Sequence, residues 1–437
     1  MGSSSSKIAY SVNNTHGASV AGYELSSALT DTLSEINLNG SLNEQLRQLL
    51  ERLDQEAAKY TNSKVNDDES IEWNPSQAEV QLISAAWKCA RGTYDLEGIM
   101  ADTSYCTFRR DQVVDSSFAG TVKLITSTVV EAKAGSGTID SLPVLVLAIR
   151  GSASKMDHIV NANAQPRTTE SFIGCIEGLR AHSGFLNSAR ALDSIVTNII
   201  NKYLEVFYET SGGKPHILFT GHSAGGAVSQ LLYLRHISDQ DLSRSANFSC
   251  ITFGAPPCLT QPVDHGIFHP SNGTVCVNII NEFDVVTRAD KPYILSLVDV
   301  ARAMLDLPPK ANISELETSE EIVSAALEAT RDEKRRLSDE SEDFPVKESN
   351  FWRFPQPVYN HVGPRVILLT RFVDNQISLK AVEVSTSEFQ KLLFCRVAVH
   401  GKRLYEERIG ALEQGRFNNR SAWEPDGDYK DKLLDQE

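Results

Sequence analysis

Long apolar runs are missing from this chain of 437 residues. No stretch approaches the roughly 20 apolar residues that a membrane-spanning helix requires. The start, Met1-Gly-Ser-Ser-Ser-Ser-Lys-Ile-Ala-Tyr, also lacks the apolar segment of a secretory signal. Close cysteine pairs are missing too. The seven cysteines, Cys89, Cys106, Cys175, Cys250, Cys258, Cys276 and Cys395, are scattered, odd in number and without Cys-x-x-Cys spacing, so they read as reduced, mostly buried thiols rather than a disulfide framework. Positive charge is in deficit as well: a formal net charge of −15 repels nucleic acid and anionic bilayers alike and argues against either as an electrostatically held partner. These absences together predict a cytoplasmic protein, in which the sequons Asn247-Phe-Ser and Asn272-Gly-Thr are chance matches.

The length suits one large α/β domain with additions. Residues 1–74 read as an N-terminal helical extension, with Leu46, Leu49, Leu50 and Leu53 forming one face of a helix over Leu42 to Ala58 that packs on its own domain. From Pro75 to about 412 the pattern alternates. A helix is expected over Leu82 to Ala90. Strands are expected at Gly120 to Val130, Leu142 to Ile149, Ile217 to Thr220, Phe248 to Phe253, Val275 to Ile280 and Arg365 to Thr370. That order predicts a mainly parallel sheet flanked by helices. Residues 292–351 shift toward charge and read as a helical insertion whose first part, Ile294 to Leu307, is apolar enough to serve as a movable cover, while residues 413–437 form a polar tail. Met1-Gly2-x-x-x-Ser6 fits the N-myristoylation pattern, with a flexible serine-rich start as the other reading. A single such chain holds a bilayer only marginally.

One stretch carries chemistry. His216-Ile-Leu-Phe-Thr-Gly-His-Ser-Ala-Gly-Gly-Ala runs from an apolar strand through Gly-x-Ser-x-Gly into a helix, the setting of a nucleophile elbow. The turn lifts the Ser223 hydroxyl out of the sheet, and Gly221 and Gly225 stand where a Cβ would collide with backbone. The amide of Ala224, at the helix start, faces the charge that develops on an attacked carbonyl oxygen. A serine nucleophile needs a histidine base and an acid to orient it. Asp284 closes the strand Val275-Cys-Val-Asn-Ile-Ile and supplies the acid. His361, in Tyr359-Asn-His-Val-Gly, and His400, in Val399-His-Gly-Lys-Arg-Leu-Tyr, both follow Asp284, and spacing leaves the choice between them open. A second oxyanion donor is expected from the loop Arg150-Gly-Ser-Ala-Ser, through Ser152, with Gly151 allowing close approach and Asp157 bracing the loop.

Taken together these pieces resemble the class 3 lipase family of fungi and plants over roughly residues 75–412. The elements Ile149-Arg-Gly-Ser, Ala181-His-Ser-Gly-Phe-Leu, Gly221-His-Ser-Ala-Gly-Gly-Ala, Thr252-Phe-Gly-Ala-Pro and Val277-Asn-Ile-Ile-Asn-Glu-Phe-Asp-Val-Val fall in that family's order. The resemblance implies an α/β-hydrolase fold with Ser223 as nucleophile, Asp284 as acid, His400 as base with His361 in reserve, Ser152 and Ala224 as oxyanion donors, Asp157 as the supporting acid and His182 as a structural residue. The chain departs from the family at Ala224, where leucine is usual, at Pro257-Cys, and in the long stretch between Asp284 and His400. These departures bear on the pocket more than on the chemistry.

The expectation is therefore a lipase-like serine hydrolase that cleaves carboxylic esters of lipids through an acyl-enzyme, with no metal or cofactor implied. Its partner is a lipid ester at a membrane or lipid-droplet surface, and no sequence feature assigns an oligomeric state. Two alternatives stand beside it. One is an esterase for small soluble esters. The other is a non-catalytic signalling scaffold, as the family's resemblance to plant lipase-like immune proteins suggests.

Overall fold

The computed structural model describes residues 48, 52–67, 70–98, 100–115, 124–134, 142–151, 165–174, 176–210, 213–263, 273–303, 351–373 and 376–418. In chain order the strands are β1 (Ile71–Glu72), β2 (Cys106–Asp115), β3 (Leu124–Ala132), β4 (Val144–Ile149), β5 (Pro166–Thr168), β6 (Arg180–His182), β7 (His216–His222), β8 (Asn247–Phe253), β9 (Cys276–Asn281), β10 (Arg365–Val373) and β11 (Gln376–Val384). The longer helices are α1 (Gln77–Gly92), α2 (Ser183–Thr210), α3 (Ala224–Ile237), α4 (Lys291–Ala303) and α5 (Lys402–Glu413).

Nine strands form one sheet in the order β1-β11-β10-β9-β8-β7-β4-β3-β2, and β5 pairs with β6 apart from it. The five middle strands, β4, β7, β8, β9 and β10, run parallel. At each end of the sheet the pairing turns antiparallel. Strand β4 shows why the centre reads as an unbroken apolar run: Leu145, Leu147 and Ile149 enter a core with α2 and α3, while Val144, Val146 and Ala148 enter a second core with α1 and α5. A period-2 pleat with helices on both faces buries every side chain of the strand. Helix α1 starts at a capping box, in which Ser76 and Glu79 bond each other's backbone amides, and it buries Trp87 under the sheet. This is the α/β-hydrolase arrangement, with the parallel strands delivering their C-terminal ends to one edge.

Two expected pieces behave differently from additions to a finished core. Residues 52–57 are helical and bury Leu53 and Ala57 against α4, Leu393 and Cys395, and residues 71–72 pair with β11. The N-terminal segment is thus part of the body over its described length. Helix α4 turns Ile294, Leu295, Leu297 and Val300 into that same core, so the described part of the expected cover is packed as a core helix, because its apolar stripe meets apolar partners. Residues 304–350, the rest of the expected insertion, lie outside the described residues, as do residues 419–437. The six described cysteines, Cys89, Cys106, Cys250, Cys258, Cys276 and Cys395, are free and buried. No described helix is long and apolar enough to cross a membrane.

Candidate active site

Strand β7 ends at His222 and α3 begins at Ala224, leaving Ser223 alone in the turn with φ 62° and ψ −135°. A non-glycine residue in this region carries backbone strain of about 1–3 kcal/mol and persists only where its surroundings fix it. Here they do: the Ser223 amide donates to the Phe253 carbonyl at 2.9 Å, and the Ser223 carbonyl accepts from the Gly226 amide at 2.9 Å. The flanking glycines are required by contact. A Cβ on Gly221 would strike the Gly225 backbone, and one on Gly225 would strike the Ile149 carbonyl of the neighbouring strand.

Around that turn the structure brings together Ser223, His400 and Asp284. The Ser223 hydroxyl donates to His400 Nε2 at 2.7 Å, and His400 Nδ1 donates to the two Asp284 oxygens at 3.1 and 2.9 Å. A carboxylate only accepts, so the Nδ1 side holds the ring proton and Nε2 presents its lone pair to the serine. All three side chains are at most 2% exposed. Asp284 is held by Val286, whose amide donates to Oδ1 at 3.0 Å, and by Tyr405, whose hydroxyl donates to Oδ2 at 2.8 Å. Tyr405 is in turn fixed by the Asn281 amide at 3.1 Å, and burial beside Asp284 raises its pKa well above the usual phenol value, so it remains a donor.

His361 is elsewhere. Its Nε2 donates to the Ala255 carbonyl at 2.9 Å, and burial together with Arg365 pushes its pKa down to about 3. The geometry therefore joins His400, not the reserve His361, to the serine. His182 is buried, stacks on Phe185 at 4.1 Å and accepts from the Phe185 amide, consistent with a structural place. Ala224 opens α3, where the first amides have no partner within the helix. Ser152, Asp157 and Gly2 lie outside the described residues.

Several side chains that sequence reasoning did not assign complete the surroundings. His222 stacks on His400 with ring centres 4.7 Å apart and donates from Nε2 to the His400 carbonyl at 3.1 Å. With its proton on Nε2, His222 Nδ1 accepts from the Tyr94 hydroxyl at 3.3 Å, and that hydroxyl accepts from the Gly151 amide at 3.1 Å. One chain of hydrogen bonds so runs from the loop after β4 to the backbone of His400. Lys402 lies over the Tyr94 ring at 3.9 Å. Gly254, at φ +57°, passes so close that a Cβ would lie 2.8 Å from the Tyr405 hydroxyl and 3.0 Å from Asp284 Oδ2. Of these, only Gly254 left a local signal, the Gly-Ala-Pro after a strand. The others meet only in three dimensions.

Such an arrangement can transfer an acyl group: the imidazole takes the serine proton as the oxygen attacks a carbonyl, and the aspartate stabilises the imidazolium that results. Residues 146–293 match the family described as Lipase (class 3). Protein EDS1 of Arabidopsis thaliana is 31% identical over 111 residues, which make up 24% of this chain and 18% of that protein; the match therefore spans under a fifth of that relative's length. Among solved structures, the Rhizomucor miehei lipase propeptide complex aligns with a TM-score of 0.42 and 15% identity over 79% of this chain and 91% of that one. The lipase from Rhizopus microsporus var. chinensis aligns with a TM-score of 0.35 and 14% identity over 52% and 77%.

Proposed function

We propose, from the match of residues 146–293 to the lipase (class 3) family, that this protein is a serine hydrolase cleaving carboxylic esters of lipids. The observation that carries this reading is the 2.7 Å hydrogen bond from the strained Ser223 to a histidine that is itself held by a buried aspartate. In the first half-reaction Ser223 Oγ attacks the ester carbonyl, its proton passes to His400 Nε2, and the imidazolium is stabilised by Asp284. The Ala224 amide, with Ser152 as second donor, holds the oxyanion. Collapse expels the alcohol, which takes the proton from His400, and leaves an acyl group on Ser223. Water, deprotonated by His400, then releases the carboxylic acid. An ordinary ester needs no other chemical group than these, and an oxyanion donor alone contributes about 3 kcal/mol to such a barrier.

A fluorophosphonate probe tests the reading. The intact chain should be labelled at Ser223, while folded Ser223→Ala and His400→Ala variants should not, and His361→Gln should label like the wild type. Loss of labelling in His361→Gln together with its retention in His400→Ala would overturn the assignment of the base. An unlabelled intact chain would overturn the hydrolase itself and leave the signalling scaffold in its place. Release of acid from long-chain glycerides but not from short soluble esters separates the lipase from the esterase for small esters. Contact with a membrane or lipid-droplet surface through an acylated Gly2 belongs to the same proposal, for a protein working in the cytoplasm. An intact mass without the added myristoyl group would remove it.

A further inference from the structure

The residue before Asp284 is strained. Phe283 has φ +72°, a region that a bulky side chain enters only when its surroundings hold it there. Arg396 is what holds it. The Arg396 amide donates to the Phe283 carbonyl at 2.9 Å and the Arg396 carbonyl accepts from the Val285 amide at 3.3 Å, so its backbone grips both neighbours of Asp284. Its guanidinium carbon also lies 4.0 Å from the centre of the Phe283 ring. The same segment runs on to the base, where the Val397 carbonyl accepts from the His400 amide at 3.1 Å. Arg396 thus joins the turn that carries Asp284 to the segment that carries His400.

Arg396 is held in turn from the N-terminal segment. Its Nε donates to Asp54 Oδ1 and Oδ2 at 2.8 and 2.7 Å. The short helix that presents Asp54 is anchored around it: Leu53 and Ala57 are buried in one core with Leu393 and Cys395, and the Asn62 carbonyl accepts from the Leu393 amide at 2.8 Å. A second grip from the same segment reaches Glu282, whose buried carboxylate accepts from the Val65 amide at 3.0 Å. The N-terminal segment therefore bears on both residues that precede Asp284, on Glu282 directly and on Phe283 through Arg396. A partly exposed ion pair such as Asp54–Arg396 adds little to stability. Here it orients the guanidinium that covers the strained ring, so its effect falls on geometry.

We propose that the N-terminal segment is a brace for the triad, with Asp54 and Arg396 as positioning residues that act on Asp284 through the strained Phe283. Neither touches Ser223 or a reacting atom. With Asp54 in place, Arg396 keeps its face on the Phe283 ring and the Asp284 carboxylate stays in line with His400 Nδ1. Without it, Phe283 is free to relax and carries Asp284 with it. The consequence for turnover rests on the hydrolase reading, whereas the consequence for the bond between His400 and Asp284 does not.

The full chain is tested with two readouts. One is the rate at which a fluorophosphonate labels Ser223. The other is the proton resonance of His400 Nδ1, which a hydrogen bond to a carboxylate moves far downfield and which His400→Gln identifies by removing it. Asp54→Ala should label at least about tenfold more slowly, because a small misplacement far from the chemistry is costly, and it should shift or lose the resonance. Asp54→Glu, which keeps a carboxylate for the guanidinium, should recover both. In an Arg396→Met background Asp54→Ala should add nothing, since the route is already cut. A folded Asp54→Ala with the wild-type rate and resonance would overturn the brace, and so would equal slowing with and without Arg396. Should Asp54→Ala fail to fold, the isosteric Asp54→Asn takes its place in each comparison. An intact chain that shows the resonance but is not labelled removes the hydrolase alone; the brace then stands if Asp54→Ala loses the resonance and falls if it keeps it.

Discussion

His400 bonds both Ser223 and Asp284, and uncharged neighbours help keep the three in line. Tyr405 gives the Asp284 carboxylate its only hydroxyl bond among the described residues, at 2.8 Å. Replacing it with phenylalanine removes a hydrogen bond to a charged group, worth about 1.5 kcal/mol. Steady-state kinetics should therefore show kcat reduced about tenfold with KM unchanged. Tyr94→Phe acts from the other side, leaving the Gly151 amide and His222 Nδ1 without the hydroxyl that joins them. It too should lower kcat without raising KM, whereas His361→Gln, which changes a ring that makes no contact with the triad, should leave kcat nearly intact. The serine and its glycines were legible because an elbow is a local device, with strain and steric need falling within five consecutive residues. His400 needed the family resemblance, since spacing alone admitted His361. Tyr94 and His222 could not be read at all: their partners are 128 and 178 residues away along the chain.

At the scale of elements, the parallel centre and β3 were legible, and the outer strands β1, β2 and β11 were not. Strands β4, β7, β8 and β9 are buried on both faces, so they stand out as apolar runs. Strand β2 carries Arg109, Arg110 and Asp111 on a half-exposed surface, and β1 is two exposed residues long; a strand with one face in water gives a weaker pattern. The segment leading into β10 carries a prediction about pH. His361 is held neutral there, with its pKa pushed down to about 3 by burial and by Arg365, against about 6.5 in an unfolded chain. Between these values the unfolded state binds a proton that the folded state refuses. Stability is thus unaffected by this group above about pH 6.5, and as the pH falls toward 3 it declines by about 1.4 kcal/mol per unit at its steepest. Urea unfolding at pH 7, 5.5 and 4.5 should show that slope in the wild type, and a shallower one in His361→Gln.

For the whole molecule, residues 54–67 are tied by ion pairs to residues 371–396. Asp54 pairs with Arg396 at 2.7 Å, and Asp67 pairs with both Arg371 and Lys380. Arg371 also meets Glu282 at 2.6 Å, and the Glu282 side chain is completely buried. Arg371→Met would leave that carboxylate buried without its cation, at a cost of roughly 3–5 kcal/mol. Chemical denaturation should register the loss, and the double variant Glu282→Gln/Arg371→Met should recover much of it. A helix-forming N-terminal segment was legible as amphipathic. That it belongs to the same core as α4 and Leu393 was not, because those partners lie far away along the chain and meet it only in three dimensions.

That interleaving sets an order in time. Ser223 and Asp284 are made well before His400, and β1 must wait for β11, the last strand of the sheet to be synthesised. On the ribosome the serine is therefore a bystander with no base, and the strained turn around it lacks the ring that accepts its proton. For the hydrolase proposed above, competence arrives only when α5 docks and brings His400 to Ser223, so that a nascent or interrupted chain is silent.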